Sequence, residues 1–191
     1  MLFCSGGFEE EKEAQTINGE NVDALRCALD AAKKKNISTV VVASNSGKTA
    51  NEFFELAKQD GMRIIVVTHD EGRPESERRF SQDIRRKLLA HNVTVYTHNP
   101  RMILLRKIIA KLFGRFGFPR WYKHLREIKD KYGTGIKVCH IIVQMLIEGK
   151  FLSDDRVIAI AGSKSGADSA AVFSIKPQNK WPILEEVILK S

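Results

Sequence analysis

Cysteine and proline are scarce in this chain of 191 residues, with three of the first and five of the second. Cys4, Cys27 and Cys139 are odd in number and far apart, which excludes a disulfide-stapled scaffold, and no pair has the spacing of zinc ligands. Reduced thiols in a cytoplasm are the expectation. So few prolines exclude a collagen-like or proline-rich chain. Long apolar runs are missing as well: the longest apolar-rich stretch, Ile136 to Ile147, is about half of the ~20 residues that a membrane span needs. The start, Met1-Leu2-Phe3-Cys4-Ser5-Gly6, lacks the basic flank and apolar run of a signal peptide. These absences lead to the expectation of a soluble, cytoplasmic protein. What is present is 43% apolar and 28% charged residues, too apolar for a disordered tail. A single domain over 1–191 follows, large enough to bury about 70% of its unfolded surface.

Acidic charge is also in short supply, with 23 Asp and Glu against 31 Lys and Arg, and the net charge is +8. The excess is not spread evenly. Between Pro100 and Lys137 stand eleven basic residues and two acids, Glu127 and Asp130, a local +9 that leaves −1 for the remainder. Asn99 suits a helix N-cap and Pro100 a first helical position. Met102, Leu105, Ile109, Leu112, Phe113 and Phe116 share one helical face. Gly114, Gly117 and Pro119 interrupt, and a second helix follows with Trp121, Leu125, Ile128 and Tyr132 on one side. The basic helical section at about 99–132 has a simple reading as an amphipathic cover with solvated charges. Three functional readings stand beside it: contact with a membrane surface, contact with nucleic acid in which Trp121 and Tyr122 stack on bases, or a rim for a phosphorylated small molecule. Charge alone does not choose among them.

Elsewhere strands and helices alternate. Residues 1–19 have no clear periodicity. Asn21 can cap a helix whose core face is Val22, Leu25, Ala28, Leu29 and Ala32, ending in Lys33-Lys34-Lys35, where basic charge suits the helix dipole. Thr39 to Ala43 is a β-branched run typical of a strand buried on both faces. Ser44 to Gly47 form a turn, and a helix follows from Thr49 to Lys58 with Phe53, Leu56 and Ala57 inward. Arg63 to Thr68 is a second strand, followed by a polar loop through Gly72 and Pro74. A charged helix then runs to about His91, and Val93 to Tyr96 is a third strand. After Gly133-Thr134-Gly135, nine of the twelve residues from Ile136 to Ile147 are apolar, a helix buried nearly all round. Arg156 to Ala161 is a fourth strand, Ser169 to Ile175 a fifth, and Ile183 to Leu189 a short edge strand. The pattern predicts an α/β fold, a doubly wound three-layer α/β/α arrangement with a mostly parallel sheet. The connection from Gly162 to Asp168 is too short for a crossover helix, so the last strand or strands should be antiparallel, the fifth lying against the fourth or pairing elsewhere. Ligands of such sheets bind at the carboxyl ends of the strands, which collects the loops Ser44–Thr49, Thr68–Gly72, Thr97–Asn99 and Gly162–Asp168 at one rim.

The strongest chemical signal is Ala43-Ser44-Asn45-Ser46-Gly47-Lys48-Thr49-Ala50, between a buried strand and a helix. Amides at a helix start attract anions. Two serines and a threonine add hydroxyls, Gly47 allows close approach, and Lys48 adds positive charge. Phosphate is the natural guest, and an ordinary hydroxyl-capped helix start is the alternative. Gly47-Lys48-Thr49 is not a triphosphate-binding loop, because Val42 stands where its first glycine belongs. Gly162-Ser163-Lys164-Ser165-Gly166 is not a nucleophile elbow, because Lys164 holds the central place. Cys139 and His140 point about 100° apart on a helix and cannot form a dyad with each other. His69 and His98 end neighbouring strands, as loop hydrogen-bonders or as acid/base groups. Asp168 can accept hydroxyls, such as those of a ribose.

Together, Val41 to Ala50, Val66-Val67-Thr68-His69 with Gly72, Gly133 to Val138, and Ala159-Ile160-Ala161-Gly162 with Gly166-Ala167-Asp168 resemble the pyruvate kinase C-terminal domain. They are similar above all to its stand-alone relatives, the pyruvate kinase alpha/beta domain proteins, over roughly Asn21 to Phe173. The resemblance implies a three-layer α/β/α fold without the kinase barrel, and therefore no pyruvate kinase activity. It also implies flavin mononucleotide (FMN) as a cofactor, held by its phosphate and ribityl chain, and brings no established reaction. Carried over, Ser44, Ser46, Gly47, Lys48 and Thr49 would contact the phosphate. Thr68, His69, Gly135, Lys137, Gly162, Ser163 and Asp168 would line the rest. The chain departs from the usual pattern at Lys164-Ser165, at Val22 and in its more basic section. Two alternatives stand: nucleic-acid or anionic-surface binding through the basic section, and a flavin-dependent enzyme of unknown substrate using His69 or His98. A homo-oligomer is left open.

Overall fold

In the computed structural model the described residues are 23–69, 79–98, 120–152, 155–162, 166–176, 179 and 181–190, with the backbone alone at 69, 98 and 120–122. Cys4, the Asn21 cap, Val22, the loop through Gly72 and Pro74, the helix assigned to Met102–Phe116, and Ser163 to Ser165 lie outside them.

Among the described residues, four helices and six strands follow in chain order. Helix α1 covers residues 23–34. Strand β1 is Thr39–Ala43, α2 is Lys48–Ala57, β2 is Arg63–His69, α3 is Gln82–Ala90 and β3 is Thr94–His98. A long helix, α4, runs over Arg120–Glu148 and breaks at Gly133. Strands β4 (Arg156–Ala161), β5 (Ser169–Ser174) and β6 (Ile183–Leu189) complete the fold. Leu25, Ala28, Leu29 and Ala32 recur at helical spacing in α1, and all are buried. The helix ends where Asn36 turns to φ 52°, a conformation in which asparagine replaces the more usual glycine. The amides of Asn36 and Ile37 then donate to the carbonyls of Lys33 and Ala32 at 3.2 and 2.9 Å.

All six strands form one sheet in the order β3-β2-β1-β4-β5-β6. The ladders β3–β2, β2–β1 and β1–β4 are parallel, whereas β4–β5 and β5–β6 are antiparallel. The short Gly162–Asp168 connection therefore closes a hairpin, with Ala161 opposite Ser169.

Side-chain alternation divides the core in two. Val40, Val42, Ile64, Val66, Ile158, Ile160, Ala170 and Val172 face one side, under α1, α2 and α3. Val41, Ile65, Val67, Val157, Ala159, Ala171 and Phe173 face the other, under Ile128, Ile136, Cys139, Ile142, Val143 and Leu146 of α4. Both faces of the central strands are covered, which is why they read as continuous apolar runs. The arrangement is three layers, α/β/α. Between Ile136 and Ile147 no residue is exposed, in keeping with a helix packed nearly all round. Strand β6 is an edge, and its outward carboxylates are paired: Arg156 Nε lies 2.9 Å from Glu185 and Lys35 Nζ 2.6 Å from Glu186.

Phe53 is 0% exposed in the first core layer and Leu89 is 52% exposed on α3. Phe53→Ala should cost about 3–5 kcal/mol, while Leu89→Ala should stay within about 0.5 kcal/mol. Urea unfolding followed by circular dichroism measures both.

Candidate active rim of the sheet

Because β1 to β4 are parallel neighbours, their carboxyl ends meet at one rim. Ala43 is level with Val67, Val42 with Ile160, and Thr68 and His69 with Thr97 and His98. Ser44, Thr68 and Gly162 are thus set side by side, one strand spacing of about 4.8 Å apart. His69 and His98, read from sequence as neighbours, are partners in the backbone register. Ser163 lies outside the described residues.

The turn after β1 is shaped by three local features. The Ser44 amide continues the β1–β2 ladder by donating to Val67 O at 3.1 Å. Gly47, the N-cap of α2, sits at φ 93°, a conformation that favours glycine. Its Cα also faces Phe80 and Ile84 so closely that an added Cβ would stand 3.1–3.3 Å from them. The side-chain oxygen of buried Ser44 accepts from the amides of Gly47 and Ala50 at 3.2 and 3.4 Å. Ser46 Oγ accepts from the Lys48 amide at 3.4 Å. These contacts are longer than the 2.9–3.0 Å typical of amide hydrogen bonds. Thr49 is nearly buried at 9% exposure. Lys48 projects outward, 64% exposed, with Nζ 4.0 Å from Glu52 on the next turn.

One neighbour of this turn was not legible as part of the site. Ser81 caps α3 by accepting from the Ile84 amide at 3.4 Å, and its own amide donates to Ser46 O at 3.0 Å. Ser81 two residues before Asp83 was the available cap signal. Helices α2 and α3 are tied through Glu55, whose carboxyl is held down to about 2 by hydrogen bonds from Lys58 and then Lys87. Arg85 on α3 donates to Thr97 Oγ1 on β3 at 3.1 Å.

The opposite part of the rim is built from α4 and the β4–β5 hairpin. Gly135, at the start of the second arm of α4, packs its backbone directly on Ser169 and the Asp168 carboxylate, leaving no room for a Cβ. Gly162 is likewise pressed against the Gly166 carbonyl. Ser169 Oγ donates to Asp168 Oδ1 at 2.7 Å, and the Asp168 amide donates to Ala161 O at 3.1 Å. A carboxylate near a helix start is electrostatically favourable. Lys137, two residues and about half a helical turn further on, is half-buried. Cys139 lies beneath this cluster with its thiol donating to Ala159 O at 3.4 Å. Burial first, and then the Asp168 charge, pushes that thiol far above its ordinary range. The structure thus brings Gly135, Asp168 and the unassigned Ser169 into direct contact, and Ser44, Ser46, Gly47, Lys48 and Thr49 into one turn. Among the described residues no three His, Cys, Asp or Glu gather as metal ligands would, and no helix is long and apolar enough to cross a membrane.

Two measurements follow from this packing. Gly135→Ala should lose about 1–3 kcal/mol through overpacking against Ser169, and Ser169→Gly in the same chain should return part of it in urea titrations. In a Cys4→Ser background, exposed Cys27 should react with a thiol reagent in the native state. Buried Cys139 should react only after denaturation.

Known proteins give this geometry its context. O-ureido-L-serine synthase, a solved structure, aligns at 16% identity and a TM-score of 0.32 over 51% of this chain. This chain spans 30% of that protein's length, and the likeness is too distant to bear on fold or function. The profile of the pyruvate kinase alpha/beta domain, by contrast, matches residues 23–174, from α1 through β5. This protein is a member of the pyruvate kinase alpha/beta domain family.

Proposed function

We propose that the rim binds a phosphorylated small molecule, with FMN as the first candidate, and that the domain acts in binding rather than phosphoryl transfer. The observation that carries this reading is the turn after β1. Its amides at Gly47, Lys48 and Ala50 reach serine hydroxyls at 3.2–3.4 Å. A phosphate oxygen makes shorter, charge-assisted bonds to such amides and can displace the hydroxyls. Ser44, Ser46 and Thr49 would then turn to the phosphate, and Lys48 would swing from Glu52 to join them. Thr68, His69, Gly135, Lys137, Gly162, Ser163 and Asp168 would line the remainder. Asp168 offers an acceptor suited to hydroxyls and opposes a second anionic group, which favours a monophosphate carrying a polyol.

Two other readings are separated from this one by simple observations. Nucleic-acid or anionic-surface binding would use exposed Lys123, Arg126 and Lys129, and its affinity would fall steeply with salt. A flavin-dependent enzyme would need His69 or His98 within hydrogen-bond reach of the flavin ring.

Thermal melting with FMN, riboflavin, a sugar phosphate and inorganic phosphate tests the proposal. FMN at 100 times its Kd should add about 2.7 kcal/mol of stability, and riboflavin should add much less. Lys48→Ala should weaken FMN by about 2–5-fold, the worth of one exposed charge at a helix start, and leave riboflavin unchanged. Absence of any shift with all the phosphorylated compounds would sink the reading.

A further inference from the structure

A second cluster lies away from the rim, where α4 folds back on itself. Gly133 sits at φ 91°, ψ 175°, and breaks the helix into one arm at 120–132 and another at 134–148. The second arm is fixed in the core by Ile136, Cys139, Ile142, Val143 and Leu146. The first contributes Ile128 and partly buried Tyr132, while its charged residues Lys123, Arg126, Glu127, Lys129 and Asp130 are exposed. Near its far end, His124 Nε2 lies 3.3 Å from His140 Nε2 on the second arm. The pair is closed in by aromatic rings. Phe173 of β5 stands edge-on to His140 at 5.9 Å, and Trp181 is 6.1 Å from His124.

We propose that the His124–His140 contact is a proton-operated latch, which holds the first arm of α4 on the domain and lets it swing about Gly133 when the pair takes up protons. His140 is 1% exposed. Its buried Nδ1 meets no hydrogen-bond partner among the described residues, and its Nε2 meets that of His124. With both rings neutral, one Nε2 carries the hydrogen and the other accepts it. A proton on the accepting Nε2 removes that acceptor and leaves two donors facing one another in an apolar setting. Among the described residues, the groups facing His140 are His124 from the first arm, Phe173 from β5 and the Pro182 carbonyl from the β5–β6 connection. The direction of the response follows from burial and from His124, which together pull His140 down to about 4 against the opposing Pro182 carbonyl. The closed arm is therefore fully favoured above the ordinary imidazole range near 6.5 and loses that advantage as pH falls toward about 4. Gly133 adjoins Thr134 and Gly135, so the hinge of the arm lies beside the rim.

Hydrogen exchange read by mass spectrometry, corrected for intrinsic rates, tests the latch on the full chain. From about pH 7.5 to about pH 4.5, peptides of 120–132 should lose protection by about tenfold or more, while peptides of 157–161 and 169–174 keep theirs. His124→Gln and His140→Phe should each abolish the difference between the two pH values. The proposal is overturned if the wild-type arm is equally protected at both. It is also overturned if the strand peptides open in step with the arm, or if both variants keep the full response.

Discussion

A parallel strand pair cannot be closed by a tight turn, so each of β1 to β3 is followed by a crossover that lays helix against the sheet. The rest of the molecule depends on that constraint. It forces both faces of β1, β2 and β4 into the interior, and the two sets of side chains divide residue by residue: Val40 and Val42 under α1 to α3, Val41 under α4. It also gives every parallel strand the same direction, so the chain leaves β1, β2, β3 and β4 at one rim. The family to which the chain belongs is defined over this same unit.

The rim is assembled by backbones that approach more closely than side chains allow. Gly47 lies under Phe80 and Ile84, Gly135 on Ser169 and Asp168, and Gly162 on the Gly166 carbonyl. The two helix starts at this rim are filled differently. At α2 the occupants are hydroxyl oxygens in long contacts, which a stronger acceptor can replace. At the second arm of α4 the nearby group is the Asp168 carboxylate, covalently part of the hairpin and itself bonded to Ser169. In the proposed function one end receives an anion and the other does not, a polarity that would follow from the identity of single side chains on a shared scaffold.

Much of this was legible because local pattern and burial agree. Thr39–Ala43, Arg156–Ala161 and Ile183–Leu189 were bounded correctly by composition and punctuation, and β2 and β3 extend to His69 and His98 because their ladders continue into the rim. The antiparallel end of the sheet was forced by the length of one connection. Ser81 and Ser169 were missed as site residues because isolated serines carry no pattern; their roles arise from contact with Ser46 and with Asp168 and Gly135. The His124–His140 pair was invisible for a related reason. Sequence spacing of sixteen places the two rings together only after Gly133 breaks the helix.

From sequence alone came the element order, the two-sided apolar runs, the antiparallel last strands and the glycine-serine turn before α2. Those properties are local: they depend on side-chain periodicity, β-branching and the length of a connection, all readable along the chain. Only the tertiary structure decided which loops share a wall, which glycine touches which carboxylate, and which imidazoles meet. Such contacts join residues from separate elements, and they exist only because burial of the sheet on both faces brings those elements within bonding distance.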